Sequence, residues 1–156
     1  MPSPPPVPSP GSLGARAVNL FTRLHVAAYR RGGGRLVGTW QGAPVLLLDH
    51  VGRRSGTHRT TPLLYLEDGQ DLVLVASRGG SHAPPAWWLN LEASPSTTVQ
   101  VGSRRREVVA RTASAEEKQR LWPRLVAMYP EYETYQRRTD REIPVVVLEP
   151  GGVATA

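Results

Sequence analysis

Apolar residues recur at helical spacing near the start of the chain, after a proline-rich segment. Six of the first ten residues are proline, so residues 1–11 are predicted to be a disordered tail. From Ser12, a suitable N-cap, the pattern stays helical until the glycine stop at residues 32–34, which predicts one helix over residues 12–34. Its apolar face consists of Leu13, Ala17, Leu20, Phe21, Leu24, Ala27 and Ala28.

The period then changes to that of β-strands, which are predicted over residues 44–49, 60–67, 71–77, 97–102, 105–111 and 143–148. Asp68-Gly69 is a strong hairpin turn, so the second and third strands are expected to pair. The fourth and fifth form another expected hairpin. Pro85 fits the start of a short helix over residues 86–93, which Pro95 closes.

Two helical segments are predicted in the C-terminal third of the chain. Ser114 followed by Glu117 forms a capping box that opens the first. Pro123 is expected to kink this helix or split it into two pieces. A further helical turn or two is predicted over residues 132–138, and residues 151–156 are expected to be a frayed end.

Strands joined mostly by hairpins, with helices between them, are typical of a small antiparallel barrel with helical additions. A two-layered α/β fold with a parallel sheet is disfavoured, because helices do not alternate regularly with strands. The predicted class is therefore mainly β with helices (α+β), with residues 35–150 as one domain. A chain of 156 residues is long enough for one core.

The composition excludes several kinds of site. The chain has no cysteine, which excludes disulfides, zinc fingers, iron–sulfur clusters and thiol nucleophiles. The four histidines are scattered without metal-ligand spacing, so no metal is expected. No apolar run approaches the roughly 20 residues that a membrane-spanning helix requires. A cytoplasmic location is the expectation.

The net charge of +6 is unevenly placed. Residues 1–48 contain five arginines and no carboxylate, which leaves a charge of only +1 for the rest of the chain and disfavours a nucleic-acid partner. The segment 12–31 has two interpretations. It is either a helix packed on the domain with a solvated basic side, or a peripheral contact with the inner face of the cell membrane, where arginines flank an apolar stripe.

A basic loop between glycines is the first candidate binding site. In Gly52-Arg53-Arg54-Ser55-Gly56 the glycines let backbone N–H groups face a ligand, and Ser55 adds a hydroxyl. Arg53, Arg54 and the nearby Arg59 carry guanidinium groups suited to phosphate or carboxylate. The loop is therefore expected to bind an anion, the alternative being a basic surface turn.

Three further segments are candidates, each with a structural alternative. Residues 76–80, Ala-Ser-Arg-Gly-Gly, offer donors to a ligand near the backbone or form a plain flexible loop. In the segment 85–90, one of two adjacent tryptophans could contact a flat aromatic ligand beside Asn90. The structural alternative is that both tryptophans pack between the barrel and the helix. Tyrosines at 129, 132 and 135 line a substrate site and donate a proton, or form a structural cluster.

Taken together, these segments resemble the deazaflavin-dependent nitroreductase family, small reductases that use reduced coenzyme F-420. The resemblance covers residues 44–150. Its motifs, in the family order, are Gly52-Arg53-Arg54-Ser55-Gly56, Arg59 with Pro62-Leu63, Ala76-Ser77-Arg78-Gly79-Gly80, Pro85 to Asn90, Met128-Tyr129-Pro130, Tyr132, Tyr135-Gln136 and Ile143-Pro144-Val145. It implies a split β-barrel of the flavin-nucleotide-binding type, and a bound 8-hydroxy-5-deazaflavin whose phosphate and glutamate tail lies on the basic loop.

The resemblance also implies roles for individual residues. Those expected to hold the phosphate and tail are Arg53, Arg54, Ser55, Gly56 and Arg59. Those expected to pass along the cofactor are Pro62, Leu63, Ala76, Ser77, Arg78 and Gly79. Those expected beside the ring or its side chain are Trp87, Trp88 and Asn90. Catalytic groups bordering the substrate would be Ser77, Tyr129, Tyr132 and Tyr135.

The expected function is hydride transfer from reduced coenzyme F-420 to a quinone-like or nitroaromatic acceptor, by a monomer or a homodimer. The nearest alternative is a flavin mononucleotide or pyridoxamine-phosphate-type oxidase on the same barrel. Two alternatives of other classes stay open. One is a nucleic-acid-binding barrel that uses arginines and aromatics, and the other is a cofactor carrier without catalysis.

Overall fold

The computed structural model describes residues 12–35 and 37–151, so the predicted tail over residues 1–11 and most of the predicted C-terminal end lie outside the described residues. The helices are α1 (Leu13–Gly32), α2 (Ala86–Ala93), α3 (Ala115–Met128) and α4 (Glu131–Arg137), with a 3-10 turn at Arg78–Gly80. The strands are β1 (Thr39–Trp40), β2 (Ala43–Val51), β3 (His58–Leu64), β4 (Leu66–Asp68), β5 (Asp71–Val75), β6 (Ser96–Val101), β7 (Arg104–Thr112) and β8 (Val145–Pro150).

All strand pairs are antiparallel, and the sheet runs from β3 through β2, β6, β7, β8 and β5 to β4. The short β1 pairs with the start of β2. The two ends of this order, β3 and β4, are consecutive in the chain and are separated only by Tyr65. One residue spans about 3.8 Å, so the sheet has to curl until its edges meet. The result is the predicted antiparallel barrel with helical additions.

Three apolar clusters hold the helices on this sheet. The barrel interior is filled by residues such as Leu46, Leu74 and Leu148, together with Trp87 and Trp88 of α2. Outside the barrel, α3 and α4 pack on β5 and on the start of β8 through Leu121, Leu125, Tyr132, Val73 and Val145. The third cluster lies between α1 and β2, around Tyr29, Val45 and Leu47.

The structure corrects two details of the predicted elements. The strand predicted over residues 60–67 is two strands that separate at Tyr65, because Leu64 pairs with Val45 of β2 whereas Leu66 pairs with Val73 of β5. The Asp68-Gly69 hairpin therefore joins β4 to β5, and β3 pairs with β2. Pro123 does not split α3, which is continuous from Ala115 to Met128. Burial of Leu121 and Leu125 on either side of the proline stabilises the unbroken helix.

The predicted apolar face of α1 does not face the barrel. Leu20, Phe21 and Leu24 are 59%, 62% and 61% exposed, while the buried side of the helix carries Tyr29. The Tyr29 hydroxyl donates to the Val45 carbonyl at 2.9 Å and accepts from the Gly102 N–H at 2.8 Å. A single hydrogen-bonded phenol thus links α1 to two separate parts of the barrel.

We predict that Tyr29→Phe lowers the free energy of unfolding by about 1–3 kcal/mol, because the buried Gly102 N–H loses its acceptor. Urea unfolding followed by circular dichroism measures the change. Tyr65→Phe is the matched control, since Tyr65 is also buried but its hydroxyl makes no hydrogen bond within the described part of the chain. Equal effects of the two substitutions would contradict this interpretation of Tyr29.

Candidate functional site

Two cavities are lined in part by residues of β3. The first, called here the basic cavity, has a volume of about 440 Å³ and is lined by His50, loop residues 52–55, Arg59, Thr61, Ala86, Trp87 and Asn90. The second, called the tyrosine cavity, has a volume of about 300 Å³ and is lined by Phe21, His25, Trp40, Val45, Pro62, Leu63, Leu64, Leu74, Val75, Ser77, Tyr129, Tyr132 and Tyr135. Thr61 lines the first cavity and Pro62, the next residue of β3, lines the second, so β3 contributes to both.

The two cavities differ in their electrostatics. The basic cavity is lined by three arginines, Arg53, Arg54 and Arg59, and by no carboxylate. The tyrosine cavity is lined by no arginine, lysine or carboxylate, and its polar side chains are those of Ser77, the three tyrosines, His25 and Trp40. A ligand that fills both therefore needs an apolar, flat part joined to an anionic part.

The basic loop uses much of its hydrogen-bonding capacity internally. The Gly52 N–H donates to the Thr57 carbonyl at 2.9 Å, and the Gly56 N–H donates to the Gly52 carbonyl at 2.8 Å. Ser55 Oγ accepts from the Thr57 N–H at 3.2 Å, and a Cβ at Gly52 would lie only 2.4 Å from that oxygen. A side chain at position 52 would therefore require the Ser55 hydroxyl to move away from its bond with Thr57. The glycine N–H groups shape the loop, which leaves its arginine and serine side chains to face a ligand.

Asn90 of α2 holds this loop against the barrel. Its Oδ1 accepts from the Arg53 N–H at 3.1 Å and from an Arg53 guanidinium nitrogen at 3.4 Å. Its Nδ2 lies 2.9 Å from His50 Nδ1, and His50 Nε2 lies 2.8 Å from Thr61 Oγ1. Burial lowers the pKa of His50, Arg59 lowers it further, and Asp49 opposes both effects. The imidazole is therefore held in its neutral form.

A second loop, residues 76–81, is braced by Arg141. Its guanidinium donates to the carbonyls of Ala76, Ser77 and Ser81 at 3.1, 2.9 and 2.8 Å. Burial and the neighbouring Arg78 lower the pKa of Arg141. Gly80 lies directly on α4, because a Cβ there would approach the Tyr135 carbonyl oxygen to 2.8 Å. The loop is thus fixed, and Ser77 is held at the wall of the tyrosine cavity.

The three tyrosines form one cluster at the other wall. Their ring centroids are 5.0–6.4 Å apart, and the hydroxyls of Tyr129 and Tyr135 are 3.3 Å apart. Burial strongly raises the pKa of Tyr132, with a smaller contribution from Tyr129, and burial also raises the pKa of Tyr135, aided by its hydrogen bond with Tyr129. These phenols therefore stay neutral at physiological pH and can act as hydrogen-bond donors.

Comparison with known proteins agrees with a site for a ligand that has an apolar part and an anionic part. A family model described as F420H(2)-dependent quinone reductase matches residues 21–150. The chain belongs to this family. An F420H(2)-dependent quinone reductase of Mycobacterium tuberculosis is 41% identical over 130 residues, which cover 81% of this chain and 87% of the relative. Membership confirms the predicted enzyme class, an oxidoreductase that uses coenzyme F-420.

Solved structures confirm the fold. An F420-H2-dependent reductase has a TM-score of 0.63 at 37% identity, over 68% of this chain and 94% of that one. A protein described as a domain-swapped dimer has a TM-score of 0.65 at 30% identity, over 85% of this chain and 99% of its own. A FAD-binding protein of Mesorhizobium loti, 11% identical with a TM-score of 0.50 over 69% of this chain and 81% of that one, shares the fold alone. The quinone reductase chain is therefore a split β-barrel of the flavin-binding type.

The residues predicted from the family resemblance fall into three groups. Those that line the basic cavity are Arg53, Arg54, Ser55, Arg59, Trp87 and Asn90. Those that line the tyrosine cavity are Pro62, Leu63, Ser77, Tyr129, Tyr132 and Tyr135. Those that line neither cavity are Gly56, Ala76, Arg78, Gly79 and Trp88. Of the last group, Ala76 and Trp88 are buried in the barrel core, and Arg78 and Gly79 are exposed in the 3-10 turn.

Sequence reasoning missed several residues that the fold brings to this reductase site. His50 and Thr61 are diagonal neighbours across the β2–β3 pair, are joined by a hydrogen bond, and both line the basic cavity. Phe21, His25 and Trp40 close the outer side of the tyrosine cavity. The strand periodicity of β2 and β3 could have placed His50, Arg59 and Thr61 on one face, but only if their register had been known.

We predict that Arg141→Lys loosens the second loop, because one ammonium group cannot reach the carbonyls of residues 76, 77 and 81 together. Hydrogen exchange at the Gly80 and Ser81 amides, which donate to Ser77 and Arg78, should accelerate about tenfold or more for a loss of about 1.5–3 kcal/mol. Arg137→Lys is the control, since the Arg137 side chain is exposed and makes no hydrogen bond to the described residues. Unchanged exchange in Arg141→Lys would contradict the bracing role.

Proposed function

We propose that this chain transfers a hydride from reduced coenzyme F-420 to a quinone, with the cofactor tail in the basic cavity and its ring in the tyrosine cavity. The adjacency of an acid-free arginine cavity and an apolar cavity along one strand carries the proposal. The coenzyme has the matching form, a flat tricyclic ring joined to an anionic phosphate and glutamate tail. The mycobacterial relative carries the name of the same activity.

The tail is held by the side chains of the basic loop. Arg54, Arg59 and Ser55 line the cavity and make no bond to a carboxylate within residues 12–35 and 37–151, so their donors are available to phosphate and carboxylate oxygens. Charge-assisted hydrogen bonds contribute about 1.5–3 kcal/mol each. Three of them would supply much of the roughly 8 kcal/mol that corresponds to micromolar affinity, with solvent exposure reducing each contribution.

The ring is placed against Pro62 and Leu63, beside Ser77. When bound, the reduced deazaflavin supplies a hydride from its C5 atom. The chain's contribution is to hold the acceptor beside that atom and to exclude water from the apolar cavity. An acceptor oxygen gains negative charge as the hydride arrives, and the hydroxyls of Ser77 or of Tyr129 and Tyr135 can donate hydrogen bonds to it. The raised pKa of Tyr135 suits such a neutral donor better than a general acid.

We predict that Arg54→Ala and Arg59→Ala each weaken F-420 binding by about tenfold or more, because each removes a charge-assisted contact. Fluorescence titration at two salt concentrations measures the affinity, and the salt dependence should be smaller in both variants than in the parent. Arg104→Ala is the control, since Arg104 on β7 is exposed and lines neither cavity. An unsubstituted protein that bound flavin mononucleotide but did not bind F-420 would contradict the proposed cofactor.

The acceptor is proposed to be a lipophilic quinone presented by a membrane, with nitroaromatic compounds as alternative acceptors. Phe21 of α1 and Trp40 line the tyrosine cavity and are 62% and 48% exposed. The adjoining α1 surface exposes Leu20 and Leu24 beside Arg16 and Arg23, as an interfacial helix does. No helix within residues 12–35 and 37–151 is long and apolar enough to cross a bilayer, so the contact proposed is peripheral.

We predict that the double substitution Leu20→Ser and Leu24→Ser lowers the reduction of a lipophilic quinone in anionic vesicles by about tenfold or more, because less apolar surface enters the interface. Reduction of a soluble menaquinone analogue should be unchanged, since neither leucine lines the cavity. Oxidation of reduced F-420, followed by absorbance, measures both rates. Val109→Ser, an exposed site on β7, is the control. Equal losses on both substrates would contradict the membrane contact.

A further inference from the structure

A short chain of hydrogen bonds leads from the backbone of the basic loop to a hydroxyl group in the basic cavity. It runs from the Arg53 N–H through Asn90 and His50 to Thr61, with heavy-atom distances of 3.1, 2.9 and 2.8 Å. Asn90 and His50 are 4% and 5% exposed. At such burial each donor has to meet an acceptor, so the direction of every bond in the chain can be deduced.

The orientation of the Asn90 amide is fixed at the loop end. A backbone N–H can only donate, so the Asn90 atom facing Arg53 has to be the oxygen. The Arg53 guanidinium also donates to this oxygen, at 3.4 Å. The NH₂ group of Asn90 therefore faces His50, and it can only donate to Nδ1 of the imidazole. His50 Nδ1 is thus an acceptor and carries no proton.

The neutral imidazole then carries its proton on Nε2. Arg59, which is paired with His50 in the β2–β3 register, and Arg53 beyond Asn90 are the cations that face it. Asp49 is the nearby carboxylate, but its oxygens are bound by Thr60, Arg30 and Arg105. Burial and Arg59 keep the pKa of His50 below its ordinary value. With its proton on Nε2, His50 donates to Thr61 Oγ1.

The opposite arrangement, in which Thr61 donates to His50, is inconsistent with the hydrogen bond between Asn90 and His50. It needs the proton on Nδ1, which would then face the NH₂ group of Asn90. Turning the amide over would remove that conflict but would place NH₂ against the Arg53 N–H, leaving two donors facing each other. Only one direction satisfies all three bonds.

We propose that Thr61 is an anion-binding residue of the basic cavity, held as a hydrogen-bond donor by the positioning residues His50 and Asn90. Because Thr61 accepts from His50, its own proton has no acceptor among the described residues and is available to the cavity that Thr61 lines. Its ligand would be a phosphate oxygen, which accepts but cannot donate when ionised. This inference rests on the proposed function and adds to it a donor that carries no charge.

The tautomer of His50 tests the chain of bonds without any cofactor. Nitrogen-15 NMR of the full chain should show His50 with the proton on Nε2 and none on Nδ1. In Asn90→Asp, the residue facing Nδ1 can only accept, so the proton should appear on Nδ1. A parent protein with the proton on Nδ1, or with a doubly protonated His50 at neutral pH, would overturn the inference.

Affinity for F-420 tests the role of Thr61. Thr61→Val keeps the shape but removes the donor, and should weaken binding about tenfold, whereas Thr61→Ser should restore it. Thr60→Val is the matched control, because the Thr60 hydroxyl donates to Asp49 and not to the cavity. His50→Gln offers one acceptor and one donor in place of the two ring nitrogens, so it should retain more affinity than His50→Phe.

The outcomes separate this inference from the proposed function. If the parent binds F-420 and Arg54→Ala weakens it while Thr61→Val does not, the cofactor assignment stands and the role of Thr61 is overturned. If the parent does not bind F-420, both are overturned. Weaker binding in Thr61→Val and Thr60→Val alike would indicate a general disturbance of β3 and would also overturn the inference.

Discussion

The one-residue connection at Tyr65 is the constraint on which the site depends. It joins β3 and β4, which occupy opposite ends of the strand order, so the sheet has to close upon itself. In this closed sheet β3 pairs with β2 alone, and residues of β3 line both cavities. A hairpin of the usual kind would have paired residues 60–67 with β5. β3 lines both cavities in a structure where that pairing is replaced by the pairing with β2.

The separation of charge along β3 then selects the kind of ligand. The cavity lined by Arg59 and Thr61 contains three arginines and no carboxylate, whereas the cavity lined by residues 62–64 contains hydroxyls and apolar side chains. Several acids are paired with arginines elsewhere. Asp68 is held by Arg120 and Arg124, which lower its pKa to about 2, and Glu117 is held by Arg111. Because these carboxylates are paired away from the basic cavity, its positive potential is not neutralised locally.

Local chemistry was predictable from the sequence, and long-range contact was not. The N-cap at Ser12, the capping box at Ser114 and the basic loop follow from neighbouring residues, and all are present. The split at Tyr65 depends on competition between β2 and β5 for one segment, which no local pattern reveals. Arg141 illustrates the same limit, because its acceptors are at least 60 positions away in the chain. The family resemblance predicted the cofactor, whereas His50 and Thr61 were identified only from the fold.

The role of Asn90 shows how burial constrains an assignment made from residue type. An amide next to two tryptophans suggests contact with a flat ring, but both ends of the Asn90 amide are already bonded, to Arg53 and to His50. A ring hydrogen bond to Asn90 would require breaking one of these buried bonds, a loss of about 1–3 kcal/mol for the group left unpaired. Trp88 is likewise committed to the barrel core. In the proposed binding mode, β3, Ser77 and the tyrosines would therefore contact the ring, while Asn90 holds the loop that would contact the tail.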